Sequence, residues 1–118
     1  MASQWHSVVV DCADIESQSR FWADVLGYQV VFAADDEVAI AKDEHTWPGL
    51  VFGPVPEGKS VKNRLHIDLA PDDQEAEVRR LEGLGAKRVD IGQGEVPWIV
   101  MADPEGNEFC VLTPREQS

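Results

Sequence analysis

Polar and apolar positions alternate through "KNRLHIDL" from Arg64 onward. Lys62, Arg64, His66 and Asp68 take one parity, and Leu65, Ile67 and Leu69 take the other. Side chains on a strand alternate faces with a period of two. The pattern therefore predicts a strand with one aliphatic face, turned to a core, and one ionisable face. "HSVVVDC" is a second β-rich run, and it ends beside Asp14, a residue type suited to capping a helix N-terminus. In "IESQSRFWADVLG" the period changes: Ile15, Trp22 and Leu26 recur near the helical repeat, with Phe21 and Val25 beside them and Gly27 as the stop. Three strand-like pieces follow, "YQVVFA", "EVAIAK" and "LVFGPV", separated by "DD" and "DEHTWPG". "PVPEGKSVK" reads as a connector.

Beyond the connector the order repeats. "NRLHIDLA" is a strand, Asp72 or Asp73 can cap the amphipathic "DQEAEVRRLEGLG", and Gly85 ends it. Strands follow at "AKRVDI", "VPWIVMA" and "EFCVLTP", with "DPEGN" as the turn before the last. The chain thus reads β-α-β-β-β twice, each helix closing on Leu-Gly (Leu26-Gly27 and Leu84-Gly85). Module one covers about 4–56 and module two about 61–114, together one domain of 118 residues. Helices segregated to one face of mostly antiparallel strands make the fold class α+β.

Composition narrows the function. The hydrophobic share of 43% and charged share of 27% are those of an ordinary globular chain. No apolar run approaches the roughly 20 residues a membrane span needs. The start, "MASQWHSVVVD", lacks the basic, apolar and small-residue segments of a signal peptide, so cytoplasm is the expected compartment. Twenty-two acidic residues against 10 basic ones leave a formal net charge of −12. Nucleic acid phosphates and anionic membranes would repel such a chain. The same charge promotes solubility and would attract a cationic ligand. Two cysteines, Cys12 and Cys110, do not make a disulfide framework; they read as small buried hydrophobes.

"DIESQSRFWADVLGYQV", "KNRLHIDL", "LEGLGAKRV" and "DPEGNEFCVL" are spread over essentially the whole chain. In their order and spacing the protein resembles the vicinal oxygen chelate superfamily of glyoxalases, bleomycin-resistance proteins and extradiol dioxygenases. Within it, the texture is similar to the glyoxalase-like domain subgroup. The resemblance implies two tandem βαβββ modules forming a curved mixed sheet, with the helices on the convex face and the site on the concave face. Leu65, Ile67 and Leu69 would then face the helices, while Lys62, Arg64, His66 and Asp68 would look into the cleft. Burying three aliphatic side chains would contribute roughly 1.5–3 kcal/mol each, which opposes a one-residue slip of register.

Metal-dependent members of the superfamily hold one divalent cation with four side chains, usually His, Glu or Gln. Carried onto this chain residue by residue, the positions fall on Ser7, Gly53, His66 and Cys110. Only His66 is an ordinary ligand, and Cys110 is a soft alternative. Catalytic zinc takes three protein ligands and a water, so the expectation is a site with no metal and no other cofactor. Glu108 lies on the same face as Cys110, and His6 is one residue out of phase with the first position.

The remaining groups suggest other chemistry. His66 can act as a general acid or base near neutral pH, with Asp68 or Arg64 orienting it or holding a ligand carboxylate or carbonyl. Cys110 could form a Cys–His pair with His66. Each has a plainer alternative: a satisfied histidine, a packed thiol, and surface ion pairs for Lys62 and Arg64. Of the four tryptophans, Trp22 belongs to the helix core, whereas Trp98 and Trp47 could wall a pocket.

The expected function is binding of a small organic molecule, lined by Ser7, Arg64, His66, Asp68, Trp98 and Cys110, with or without its transformation. As an enzyme the protein would be a metal-independent lyase or isomerase. The alternatives are a drug-sequestering protein of the bleomycin-resistance type, and a metal-dependent lyase or dioxygenase with an unusual ligand set. Superfamily members usually pair modules within or between chains, which implies a homodimer.

Overall fold

The computed structural model describes residues 2–46 and 49–114, so Trp47 lies outside the described residues. The chain divides into two compact units, Met1–Gly58 and Lys59–Ser118, parted within the predicted connector. Among the described residues, no helix is long and apolar enough to cross a membrane.

The first unit runs β1 (Ser7–Cys12), α1 (Ile15–Leu26), β2 (Gln29–Ala34), β3 (Glu37–Ala41) and β4 (Gly49–Pro54). Asp14 caps α1 by accepting the Ser17 N–H at 3.1 Å, and Gly27 ends it at φ 67°. A left-handed residue at that point spares a side chain a steric cost that glycine does not meet. The sheet has the order β1-β4-β3-β2, with β1 parallel to β4 and the other pairs antiparallel. α1 lies on β3 and β4 and buries Phe21, Trp22 and Val25 against a floor that includes Ile40, Leu50 and Phe52. The Phe21 and Trp22 rings meet edge to face, their centroids 5.2 Å apart, an arrangement their quadrupoles favour.

The second unit repeats the topology with shorter strands: β5 (Asp68–Leu69), α2 (Gln74–Leu84), β6 (Lys87–Arg88), β7 (Ile99–Ala102) and β8 (Glu108–Val111). Its order is β5-β8-β7-β6, with β5 parallel to β8. The tandem α+β βαβββ architecture expected from the sequence is therefore present. Asp73, rather than Asp72, caps α2 through the Ala76 N–H, and Gly85 closes it. Val78 and Leu81 from α2, with Leu69, Val100, Met101, Phe109 and Val111 from the strands, form this unit's core.

One expectation is overturned here. Leu65 does not pack under a helix; it is 85% exposed. Only Ile67 and Leu69 offer carbonyls to β8, accepting the Cys110 and Leu112 N–H groups at 2.9 Å each. Before Ile67 the segment has no neighbouring strand, so nothing imposes a pleat on it. Alternation survives only where the ladder exists: Leu69 is buried and Asp68 faces out.

Gly49 begins β4 where a side chain has no room, since an added Cβ would stand 2.5 Å from the Ile40 carbonyl oxygen. At Gly53 nothing lies within 4 Å of that position. Gly49→Ala should therefore cost about 1–3 kcal/mol, the usual range for overpacking. Gly53→Ala should stay within about 0.5 kcal/mol, as an uncrowded substitution does. Urea denaturation of the two variants checks this, and equal midpoints would contradict the close approach of β3 and β4.

Candidate functional site

The parallel pairing of β5 with β8 sets Asp68 directly beside Cys110. Register partners present their side chains on the same face of a sheet, and the Cys110 thiol donates a hydrogen bond to the Asp68 carboxylate. Two residues upstream, His66 Nδ1 lies 3.1 Å from Asp68 Oδ1. Asp68 thus has a thiol and an imidazole beside it. If Nδ1 carries the proton toward Asp68, Nε2 is the ring nitrogen left for other chemistry. The donor atoms of His66, Asp68 and Cys110 all lie within 4.8 Å of one another.

These three open onto a cavity of about 420 Å3 built wholly by the second unit. That is within the range of small-molecule pockets, about 300–1,000 Å3. Lys62, Asn63, Gln93 and Glu108 complete its polar lining. Ile91, Trp98, Val100 and Leu112 supply the apolar wall. Trp98 is 38% exposed, so an indole face remains available to a ligand. The approach to β7 is anchored by Gln74 at the start of α2, whose Nε2 donates to the Pro97 and Val111 carbonyls at 2.9 and 3.0 Å.

Glu108 is held from several sides. It pairs with Lys59 and accepts the Asn63 N–H at 2.8 Å. Burial works against its ionisation, but Lys59 and Asn63 outweigh burial and keep its pKa below the ordinary carboxylate range. The turn before β8 is shaped by Asp103, whose carboxylate accepts the Glu105 and Asn107 N–H groups, with Gly106 at φ 91°. Cys110 is the opposite case. Burial first, then the charge and hydrogen bond of Asp68, push the thiol up, and the positive charge of Lys62 offsets only part of this. The thiol is held protonated, contrary to what a nucleophile needs.

Among the sequence-derived site residues, the structure gathers His66, Asp68, Trp98 and Cys110 around one cavity, and Lys62 joins them. Arg64 does not line it; it is exposed on the unpaired stretch before β5. Ser7 belongs to β1 of the first unit, where its hydroxyl lies 3.3 Å from His6 Nδ1. Gln93 carried no sequence signal because it sits in an aperiodic loop, and Ile91, the last residue of the expected strand "AKRVDI", lies beyond the two-residue β6 in that same loop. Val100 and Leu112 were readable as same-face neighbours of Trp98 and Cys110. A shallower depression of about 530 Å3 lies between α1 and the β2–β3 hairpin, and its charged residues include the Glu16–Arg20 ion pair. Among the described residues it gathers no comparable set of titratable groups.

Of the four positions at which the resemblance implies a cation, Gly53 has no side chain and the Ser7 hydroxyl lies against His6. His66 and Cys110 remain, and with Asp68 they form a three-atom group of metal-ligating type. Glu108, the nearest substitute, is bound to Lys59.

A tandem βαβββ fold with a polar-and-aromatic cavity on its second module defines a class, and comparison with known proteins agrees with it. Residues 7–112 match the model of the glyoxalase-like domain. The protein belongs to that family. Comparison with curated proteins returns no match. Among solved structures it is similar to the fosfomycin resistance protein FosX from Mesorhizobium loti, at 18% identity and a TM-score of 0.72, covering 98% of this chain and 94% of that one. It is similar to the trypanothione-dependent glyoxalase I of Leishmania major, at 14% identity and TM-score 0.69, covering 95% and 87%. It is also similar to a bleomycin resistance determinant encoded on the transposon Tn5, at 16% identity and TM-score 0.61, covering 97% and 100%. These likenesses establish the fold of the glyoxalase, bleomycin-resistance and dioxygenase superfamily.

The thiol environment is directly testable. With Cys12 replaced by serine, Cys110 should react with iodoacetamide at pH 8 more slowly than the unfolded chain does, because its pKa is raised. Asp68→Asn removes a charge and an acceptor that favour the thiol form, so alkylation should speed up several-fold. A rate unchanged by the substitution would show that burial alone governs the thiol.

Proposed function

We propose that the protein binds a small organic molecule in the second-module cavity, without a metal, and that His66 is the group through which the site can move a proton. The observation that carries this is the His66–Asp68 pair inside a partly apolar cavity. A carboxylate on Nδ1 fixes the tautomer and orientation of the ring and stabilises the imidazolium that forms when Nε2 takes a proton. Trp98, Ile91 and Leu112 offer apolar surface to the body of the ligand. The cysteine contributes a donor to Asp68 and no nucleophile. Any chemistry is therefore proton transfer on a bound molecule, as in a lyase or isomerase that needs no cation. Sequestration without chemistry, the alternative of the bleomycin-resistance type, would use the same cavity.

A fragment screen followed by amide and imidazole NMR should yield ligands that shift His66 Nε2 and the Trp98 indole, and the shifts should survive excess EDTA. Shifts that avoid this cavity would refute the reading. Loss of binding on chelation would instead make His66, Asp68 and Cys110 cation ligands.

We further propose a homodimer. β1 and β2 are the edges of the first sheet, and Val9, Val30 and Phe32 on them are exposed, the kind of apolar edge that proteins usually cover. Light scattering at micromolar concentration should return twice the chain mass; a monomer mass contradicts it.

A further inference from the structure

We infer that the second-module cavity selects a ligand carrying a carboxylate on an apolar, flat body, with Lys62 as its anchor. This rests on the cavity being the binding site proposed above.

Both carboxylates facing the cavity are already occupied. Glu108 holds Lys59 and the Asn63 N–H. Asp68 holds the His66 imidazole and the Cys110 thiol. The donors are not. Lys62 lines the cavity with no carboxylate partner among the described residues, its Nζ meeting only the Asn63 carbonyl at 3.4 Å. That distance is beyond the ordinary range for such a bond. Gln93 turns its carbonyl oxygen to the Ile91 N–H at 2.9 Å, which leaves its NH2 group as the other end to be satisfied.

A cavity whose two carboxylates are engaged and whose ammonium has no carboxylate partner among the described residues complements a ligand that brings a counter-charge. A carboxylate is the simplest group that gives Lys62 a counter-charge and two oxygens to share with Gln93. The opposite side of the cavity, Trp98 with Ile91, Val100 and Leu112, suits a planar or aliphatic body. The local preference is thus anionic although the whole chain carries a net charge of −12. A cationic guest, which the net charge alone would favour, meets Lys62 and finds both carboxylates engaged.

Three probes of one shape and different charge test this: 3-phenylpropanoate, 3-phenylpropanamide and 3-phenylpropylamine, each titrated into the full chain and followed by NMR. The carboxylate should bind about tenfold tighter than the amide, a difference of about 1.4 kcal/mol, and the amine should bind weakest. Lys62→Gln should bring carboxylate and amide to equal affinity while leaving the thermal midpoint unchanged, because Lys62 is exposed. If all three probes shift Trp98 with equal affinity, the cavity is the binding site and the anion preference is wrong. A carboxylate preference that persists in Lys62→Gln assigns the anchor to another group and overturns the role of Lys62. If no probe shifts His66 or Trp98, the binding-site reading falls, and this inference falls with it.

Discussion

The site of the second module depends on the parallel pairing of β5 with β8, which includes backbone hydrogen bonds from Cys110 N–H to the Ile67 carbonyl and from Leu112 N–H to the Leu69 carbonyl. They join the first strand of the module to its last across more than forty residues of intervening chain. Long-range parallel pairing of this kind needs a crossover, and α2 supplies it while burying Val78 and Leu81 beneath the sheet. Because the ladder is only as long as those bonds, β5 is two residues long. Yet those two residues place Asp68 against Cys110 and bring His66 within reach of both. A short edge strand is enough to position a site when its partner strand is fully buried, as β8 is.

The site's electrostatics follow from which groups that pairing brings together. One carboxylate, Asp68, serves a thiol and an imidazole at once, and it raises the first while orienting the second. A second, Glu108, is drawn below its ordinary range by Lys59, although both are largely removed from solvent. With the acids satisfied inside the protein, the cavity presents donors and an indole. A net charge summed over the chain says little about such a place. The excess of carboxylates is spread over the exposed surface, where it favours solubility.

The sequence was most legible where physics is local. Asp14 and Gly27 bound one helix and Asp73 and Gly85 the other, because capping and left-handed glycine depend on a few adjacent residues. Of the residues at helical spacing Trp22 is buried, as are Phe21 and Val25 beside it, while Ile15 and Leu26 are half-buried. The repeat of the β-α-β-β-β order stood out for the same reason. It failed at Leu65, where alternation promised a buried face and the chain has no neighbouring strand to supply one. It failed at Arg64 for the same cause, since the parity that would turn it inward ends where the ladder ends.

By itself, then, the sequence determined the order of elements, the ends of both helices and the burial of Trp22, all of which follow from residue type and near-neighbour spacing. Only tertiary structure decided that His66, Asp68 and Cys110 stand together, that Lys59 from the connector pairs with Glu108, and that Ile91 and Gln93 reach the cavity from a loop. Those contacts join residues far apart in the chain, and no periodicity encodes them. "KNRLHIDL" shows the division within eight residues: its last three are held by a partner strand and obey the pattern, and its first five are placed by whatever they meet in space.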